Sequence, residues 1–125
     1  MIIKKLYGLD EYLTNFIKLF DNNKLPKVLM LSGKKGQGKF TLINHFISYI
    51  FDKKNYDLKN NRILNENKFY DIKENSNANI IYFNCIKKNI KIDEIRNLKS
   101  VLQKTSINNL NRFVIFDDVE YLNVN

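Results

Sequence analysis

Cysteine is almost missing from this chain: Cys85 stands alone among 125 residues. No internal disulfide and no cysteine-based zinc site can therefore be built, and a reduced, cytoplasmic setting fits. Arginine is nearly as scarce. Of the 21 basic residues only three, Arg62, Arg96 and Arg112, are Arg, and the other 18 are Lys. His45 is the only histidine. Long hydrophobic runs are lacking too. None approaches the roughly 18 residues of a membrane span, and "MIIKKLYG" is too short and too quickly polar for a signal peptide.

What is present is lysine, asparagine and isoleucine. The formal charge is +8, which raises the question of an anionic partner. The excess of Lys over Arg, together with abundant Asn and Ile, reads better as AT-rich coding than as selection for nucleic acid, because Arg is the better phosphate fork. The imbalance is also local. Residues 1–50 carry 8 basic and 3 acidic side chains, against 6 and 5 in residues 51–79 and 7 and 5 in residues 80–125. Aliphatic and aromatic residues make up 44% of the chain, enough for the core of one domain or part of one.

Along the chain, Leu9, Tyr12, Leu13, Phe16, Ile17 and Phe20 recur at helical spacing. Asp10 and Glu11 fall in the first turn, where the helix dipole favours them, and Asn22 and Asn23 end the helix. "VLMLS" (28–32) is a short unbroken apolar run and predicts a strand buried on both faces. Apolar residues at 42, 43, 46, 47 and 50 mark a second helix over 39–51. Residues 52–79, rich in Asn and Lys, read as a surface insertion with one short helix around "NNRILNENKFY". A second strand follows in "NIIYFN", a third helix in "KIDEIRNLKSVLQKT" and a third strand in "RFVIFDD", with a turn at "INNLN". "VEYLNVN" begins a further element. Strands alternating with helices predict an α/β fold, a three-layer parallel sheet with right-handed crossovers.

"LSGKKGQGKFTL" (31–42) carries the strongest chemical signal. Gly33, four residues, then Gly38 and Lys39 fit the phosphate-loop pattern G-x-x-x-x-G-K-[ST], with Gly36 inside it. Such glycines let backbone N–H groups turn inward around phosphate oxygens. Lys39 adds charge and the following helix adds its positive end. The competing reading is a Gly-rich turn with solvated lysines. The pattern then departs from form, because the hydroxyl position that ligates Mg²⁺ is Phe40. Thr41 lies one place on, rotated about 100° around the helix. "FVIFDD" supplies the second signal, a strand ending in carboxylates. Asp117 takes the position that holds the water shell of Mg²⁺. Asp118 takes the water-activating position, usually Glu, and falls about 1.5 Å short where geometry is sensitive to about 1 Å. Both departures point to weakened hydrolysis. His45 reads as a packed or partly exposed residue rather than a catalytic one, and Cys85 as an inert thiol. Tyr7 and Gly8 are either simple packing or the lining of an adenine pocket.

Four stretches, "LYGLDEYLTNFIKLF", "KLPKVLMLSGKKGQGKFTL", "IKIDEIRNLKSVLQKT" and "RFVIFDDVEYLN", resemble in order and spacing the clamp-loader branch of the AAA+ P-loop ATPases. Within it the resemblance is to the delta-prime-type subunits of bacterial DNA polymerase III. The resemblance implies a rigid, hydrolysis-poor member of a ring of clamp-loader subunits that opens a sliding clamp and loads it onto primed DNA. It also implies Gly33, Gly38 and Lys39 at phosphate, and Asp117 and Asp118 at the metal and water positions. A non-hydroxyl residue after the loop Lys is familiar in such subunits. The implied ligand is ATP, with weak Mg²⁺. Many members carry a four-cysteine zinc module after the phosphate-loop helix; the insertion at 52–79 has no cysteine, so no zinc is expected. The family continues past the position of Asn125, so an ATPase-like domain incomplete at its C-terminus is expected. Two other classes remain open. One is a hydrolysis-competent ATPase, either the catalytic clamp-loader subunit or a replication initiator, against which Phe40 and Asp118 argue. The other is a small-molecule kinase, for which three Arg are few.

Overall fold

The computed structural model describes residues 4–34, 36–73, 79–85, 96–97 and 112–119. The chain forms two compact units, Met1–Ile72 and Lys73–Asn125.

The first unit is built on two helices. Helix α1 spans Asp10–Asp21 and helix α2 spans Lys39–Phe51. α1 has Asp10 and Glu11 in its first turn and Lys18 in its last, signs that suit the dipole. It buries Leu13, Phe16 and Ile17. Phe16 and Phe20 both meet the ring of Phe46 edge-on, with centroids 5.8 and 6.1 Å apart, a favoured aromatic geometry. At its C-terminus Asn23 turns to φ 56°, a left-handed conformation that Asn tolerates. Both helices are where the 3.6-residue period puts them.

Helix α2 is buried on more than one stripe. Leu42, Phe46 and Ile47 form the expected apolar face, and Asn44, His45, Ser48 and Tyr49 are buried as well. The polar members of this second face hold the segment that follows. Asn44 donates from Nδ2 to the Tyr70 carbonyl (2.6 Å) and accepts from the Ile72 amide (3.1 Å). Ser48 Oγ donates to the Phe69 carbonyl at 2.7 Å. His45 Nδ1 and the Tyr56 hydroxyl are 2.7 Å apart, and Phe51 stacks on Phe69.

That segment has no helix near residues 60–70, where one was expected. A turn of 3₁₀ helix at Lys53–Asn55 leads into an antiparallel hairpin, β1 (Tyr56–Asp57) with β2 (Arg62–Ile63), in the register Tyr56 to Ile63 and Asp57 to Arg62. The N-terminal residues join it: Leu6 N donates to Asn61 O (3.0 Å) and Ile63 N to Lys4 O (2.7 Å). Ile63 is fully buried, and Tyr56 and Ile72 nearly so. The hairpin turn is made by polar side chains. Asp57 accepts from the Asn60 amide and side chain, which holds its carboxyl below the usual carboxylate range, and Asn61 adopts φ 49°. Asn67, 2% exposed, closes the segment. Its Nδ2 lies 3.2–3.3 Å from the carbonyl oxygens of Ser48, Asp52 and Asn55, and its Oδ1 accepts from Phe69 N at 2.8 Å.

Residues 28–32 also differ from expectation. They form no strand, and Val28 and Met30 are 85% and 78% exposed. An apolar run becomes a buried strand only where another strand pairs with it, and among the described residues none does.

In the second unit, β3 (Ile80–Asn84) and β4 (Phe113–Asp117) pair in parallel, from Ile80 opposite Phe113 to Asn84 opposite Asp117. The parallel arrangement is as the alternating pattern predicts, with two strands in the sheet among the described residues. Phe83 stacks on Phe116 at 5.2 Å on one face. The third helix (apart from Arg96 and Asn97), the turn at 107–111 and nearly all of "VEYLNVN" lie outside the described residues.

Candidate functional site

The residues read as a phosphate loop lie in the first unit. Gly36 and Gly38 have φ of 88° and 86°, conformations that side-chain-bearing residues rarely adopt. Gly38 is also the N-cap of α2, and a Cβ there would come 3.2 Å from Leu9 Cδ1. Gly38 has no side chain to cap α2 with, and the first turn holds no acidic residue. A helix N-terminus without an acidic residue in its first turn favours an anion through its dipole. Lys39 Nζ folds back to donate to the Gly33 carbonyl at 2.9 Å, so its ammonium spans the loop. Gln37 Oε1 accepts from the Lys34 amide at 3.1 Å. Phe40 and Thr41, the next two positions, are both half-buried. Beside them is a cavity of about 180 Å³, lined by Leu6, Tyr7, Leu9, Gly36, Gly38 and Thr41 among others. Tyr7, 74% exposed, stands at this cavity rather than in the core. His45 is fully buried against Tyr56, too far inside the helix packing to meet a ligand.

The carboxylates lie in the second unit. Asp117 closes β4, and its backbone oxygen accepts from Cys85 N at 3.0 Å. Its side chain is engaged as well: the Tyr82 hydroxyl donates to Asp117 Oδ2 at 2.6 Å. Burial first, and then this bond, hold the Tyr82 phenol well above its ordinary pKa. Asp118 follows at φ 57°, a left-handed turn that redirects the chain out of the strand. Cys85 is buried.

Mg²⁺ takes six oxygens in near-ideal octahedral geometry, commonly from one or two carboxylates, substrate phosphates and waters. In the first unit Phe40 brings no oxygen; in the second, one of the two Asp117 carboxylate oxygens accepts from Tyr82. Among the described residues no group of three or more His, Cys, Asp or Glu could hold a metal ion, and no helix is long and apolar enough to cross a membrane.

The family model of the DNA polymerase III delta subunit matches residues 8–125. The chain belongs to that family. Its membership implies a clamp-loader-related role in DNA replication, within a multi-subunit polymerase complex. No curated protein and no solved structure matches the chain.

Sequence reasoning overlooked Tyr82. A signal for it exists: with parallel strands in register, residues two apart share a face, so a Tyr two residues before the partner of Asp117 stands on the carboxylate's side of the sheet.

Proposed function

We propose that this member of the delta subunit family is a delta-prime-like clamp-loader subunit of AAA+ type. It acts mainly as a scaffold, in a ring with other clamp-loader subunits that loads a sliding clamp onto primed DNA in the cytoplasm. Its nucleotide site binds ATP weakly and hydrolyses little. Phe40 carries this reading. The loop keeps the parts that attract phosphate, namely the N-terminus of α2 without an acidic residue in its first turn and the Lys39 ammonium over Gly33, while the position that should hand Mg²⁺ a hydroxyl holds a phenyl ring. The cavity beside Tyr7 and Thr41 is smaller than the roughly 300–1,000 Å³ that encloses a whole drug-sized ligand. It suits one part of a nucleotide, with the rest lying over the loop. Tyr7 and Leu9 would then flank the base, and Gly36, Gly38 and Lys39 the phosphates. Asp118, one methylene shorter than Glu, leaves the water-activating position degenerate.

Two outcomes are expected. Calorimetry of ATP binding should give a weak affinity that changes less than about threefold when Mg²⁺ is replaced by chelator, since the metal lacks its hydroxyl ligand. A large metal-dependent gain would favour the competent-ATPase reading. Lys39→Ala, reconstituted with ATPase partner subunits, should leave clamp loading within about twofold of wild type. The same change in a hydrolysing subunit costs orders of magnitude. Collapse of loading with the ring intact would reverse the assignment of scaffold, and failure to join any ring would remove the clamp-loader role.

A further inference from the structure

We infer that Gln37 is a positioning residue that braces the glycine-rich loop, so that the loop keeps its shape without Lys39 and without a bound anion. Only the effect on anion binding rests on the nucleotide site proposed above; the brace itself lies wholly within the loop.

One residue takes both polar backbone atoms of Lys34. The Gln37 amide donates to the Lys34 carbonyl at 3.3 Å, which closes a turn, and the Lys34 amide donates to Gln37 Oε1 at 3.1 Å. A glutamine that reaches back to the amide three residues earlier makes the stitch that Glu or Gln makes in a capping box. Both the length of the side chain and its oxygen matter: methionine has the length without the acceptor. The glycine at 33 makes room for this arrangement. A Cβ there would stand 2.5 Å from Gln37 Oε1, so a larger residue at 33 would push the glutamine off the Lys34 amide.

The other tie across the loop is charged. Lys39 Nζ donates to the Gly33 carbonyl at 2.9 Å. An ammonium shares its protons among several acceptors, so an anion in the loop draws on the same group that ties Gly33. The stitch to Lys34 is neutral and is not drawn on, because the single proton of that amide is held by Gln37. The shape of the loop therefore survives the entry of an anion and the loss of the lysine. Gln37 is exposed and lines the cavity beside Tyr7, so its bond forms in competition with water. A net hydrogen bond of ordinary strength is worth roughly fivefold in an equilibrium constant. A loop without the brace must be ordered on binding, which lowers affinity by about that factor.

The test is amide hydrogen exchange and anion binding on the whole chain, with inorganic pyrophosphate as the probe. Gln37 is exposed, so replacing it leaves the packed helices intact. Without any ligand, the Lys34 amide should exchange roughly fivefold faster in Gln37→Met than in wild type. Lys39→Ala, and Gln37→Glu, which keeps an acceptor, should stay within about twofold of wild type. An equal rate in wild type and Gln37→Met overturns the proposal, and so does a rise in Lys39→Ala as large as that in Gln37→Met. Pyrophosphate should bind Gln37→Met roughly fivefold more weakly than wild type. Lys39→Ala should also weaken binding, through lost charge, but with Lys34 exchange still slow. Unchanged or tighter pyrophosphate binding by Gln37→Met overturns the proposal, since the Lys34 amide would then serve the anion better than the brace does. A wild-type chain that binds no pyrophosphate removes the nucleotide site, and the exchange rates, measured without ligand, still decide whether Gln37 braces the loop.

Discussion

Asn67→Ala is expected to destabilise the first unit by about 3 kcal/mol, read as a drop in the denaturant midpoint with an unchanged slope. The side chain is buried and uses nearly all of its hydrogen-bonding capacity: two amide protons shared among the carbonyls of Ser48, Asp52 and Asn55, and an oxygen that accepts from Phe69 N. Each net hydrogen bond is worth about 1 kcal/mol. The three carbonyls keep their backbone partners, since Ser48 O also accepts from Asp52 N, Asp52 O from Asn55 N, and Asn55 O from Leu64 N. The Phe69 amide is different, because alanine leaves it with no acceptor in a half-buried place. A buried orphan donor costs about 1–3 kcal/mol, and the void left by the amide adds to that. A loss below about 1 kcal/mol would mean that the 52–72 segment is held by its apolar contacts alone.

Stability should also fall steeply in alkali. The Tyr56 and Tyr82 phenols are both held well above their ordinary value near 10, in each case chiefly by burial. A group whose pKa is raised in the folded state contributes fully below its unfolded pKa. Its contribution is lost as pH climbs toward the folded value, because the unfolded chain then releases a proton that the folded chain keeps. The slope is up to about 1.4 kcal/mol per pH unit for each tyrosine. Between pH 10 and 11.5 the first unit should therefore lose about 1.5 kcal/mol through the buried Tyr56, and the second unit less, because the half-buried Tyr82 is partly screened by solvent. Tyr56→Phe should flatten the profile of the first unit in that window, at the expense of the His45 hydrogen bond at neutral pH. A profile that stays flat from pH 9 to 11.5 in the wild-type protein would show that these phenols ionise in place.

The elements that local chemistry decides could be read from the sequence. α1 and α2 carry the 3.6-residue period, acidic residues at the start of α1 and breakers at its end, and both helices occur where expected. The strand cores "IIYFN" and "FVIFD" are short apolar runs that did find partners, and their parallel pairing follows from the alternating order. "VLM" at 28–30 has the same composition and stays exposed, because strand formation depends on a distant chain segment that composition does not reveal. The hairpin of residues 56–63 was hidden for another reason. Its turn has no Asn-Gly or Asp-Gly pair; it is made by the Asp57 carboxylate capping Asn60 and by Asn61 in a left-handed conformation, a signal lost in an asparagine-rich stretch. The second face of α2 was missed because Asn44 and Ser48 look like solvent-facing residues until their partners at 69–72 are known. The loop glycines, Lys39 and the two terminal carboxylates of β4 could be named in advance, whereas the partner of Asp117 required the strand register.

The convergence of carbonyls on Asn67 has a chemical corollary. Three oxygens point at one nitrogen, so the position accepts a donor and rejects an acceptor. Amide hydrolysis there exchanges that nitrogen for oxygen and sets a negative charge among three partial ones, with no compensating loss of bulk. The region that fastens α2 to the hairpin is thus sensitive to the exchange of one atom, because deamidation of Asn67 would set an acceptor where three acceptors already converge.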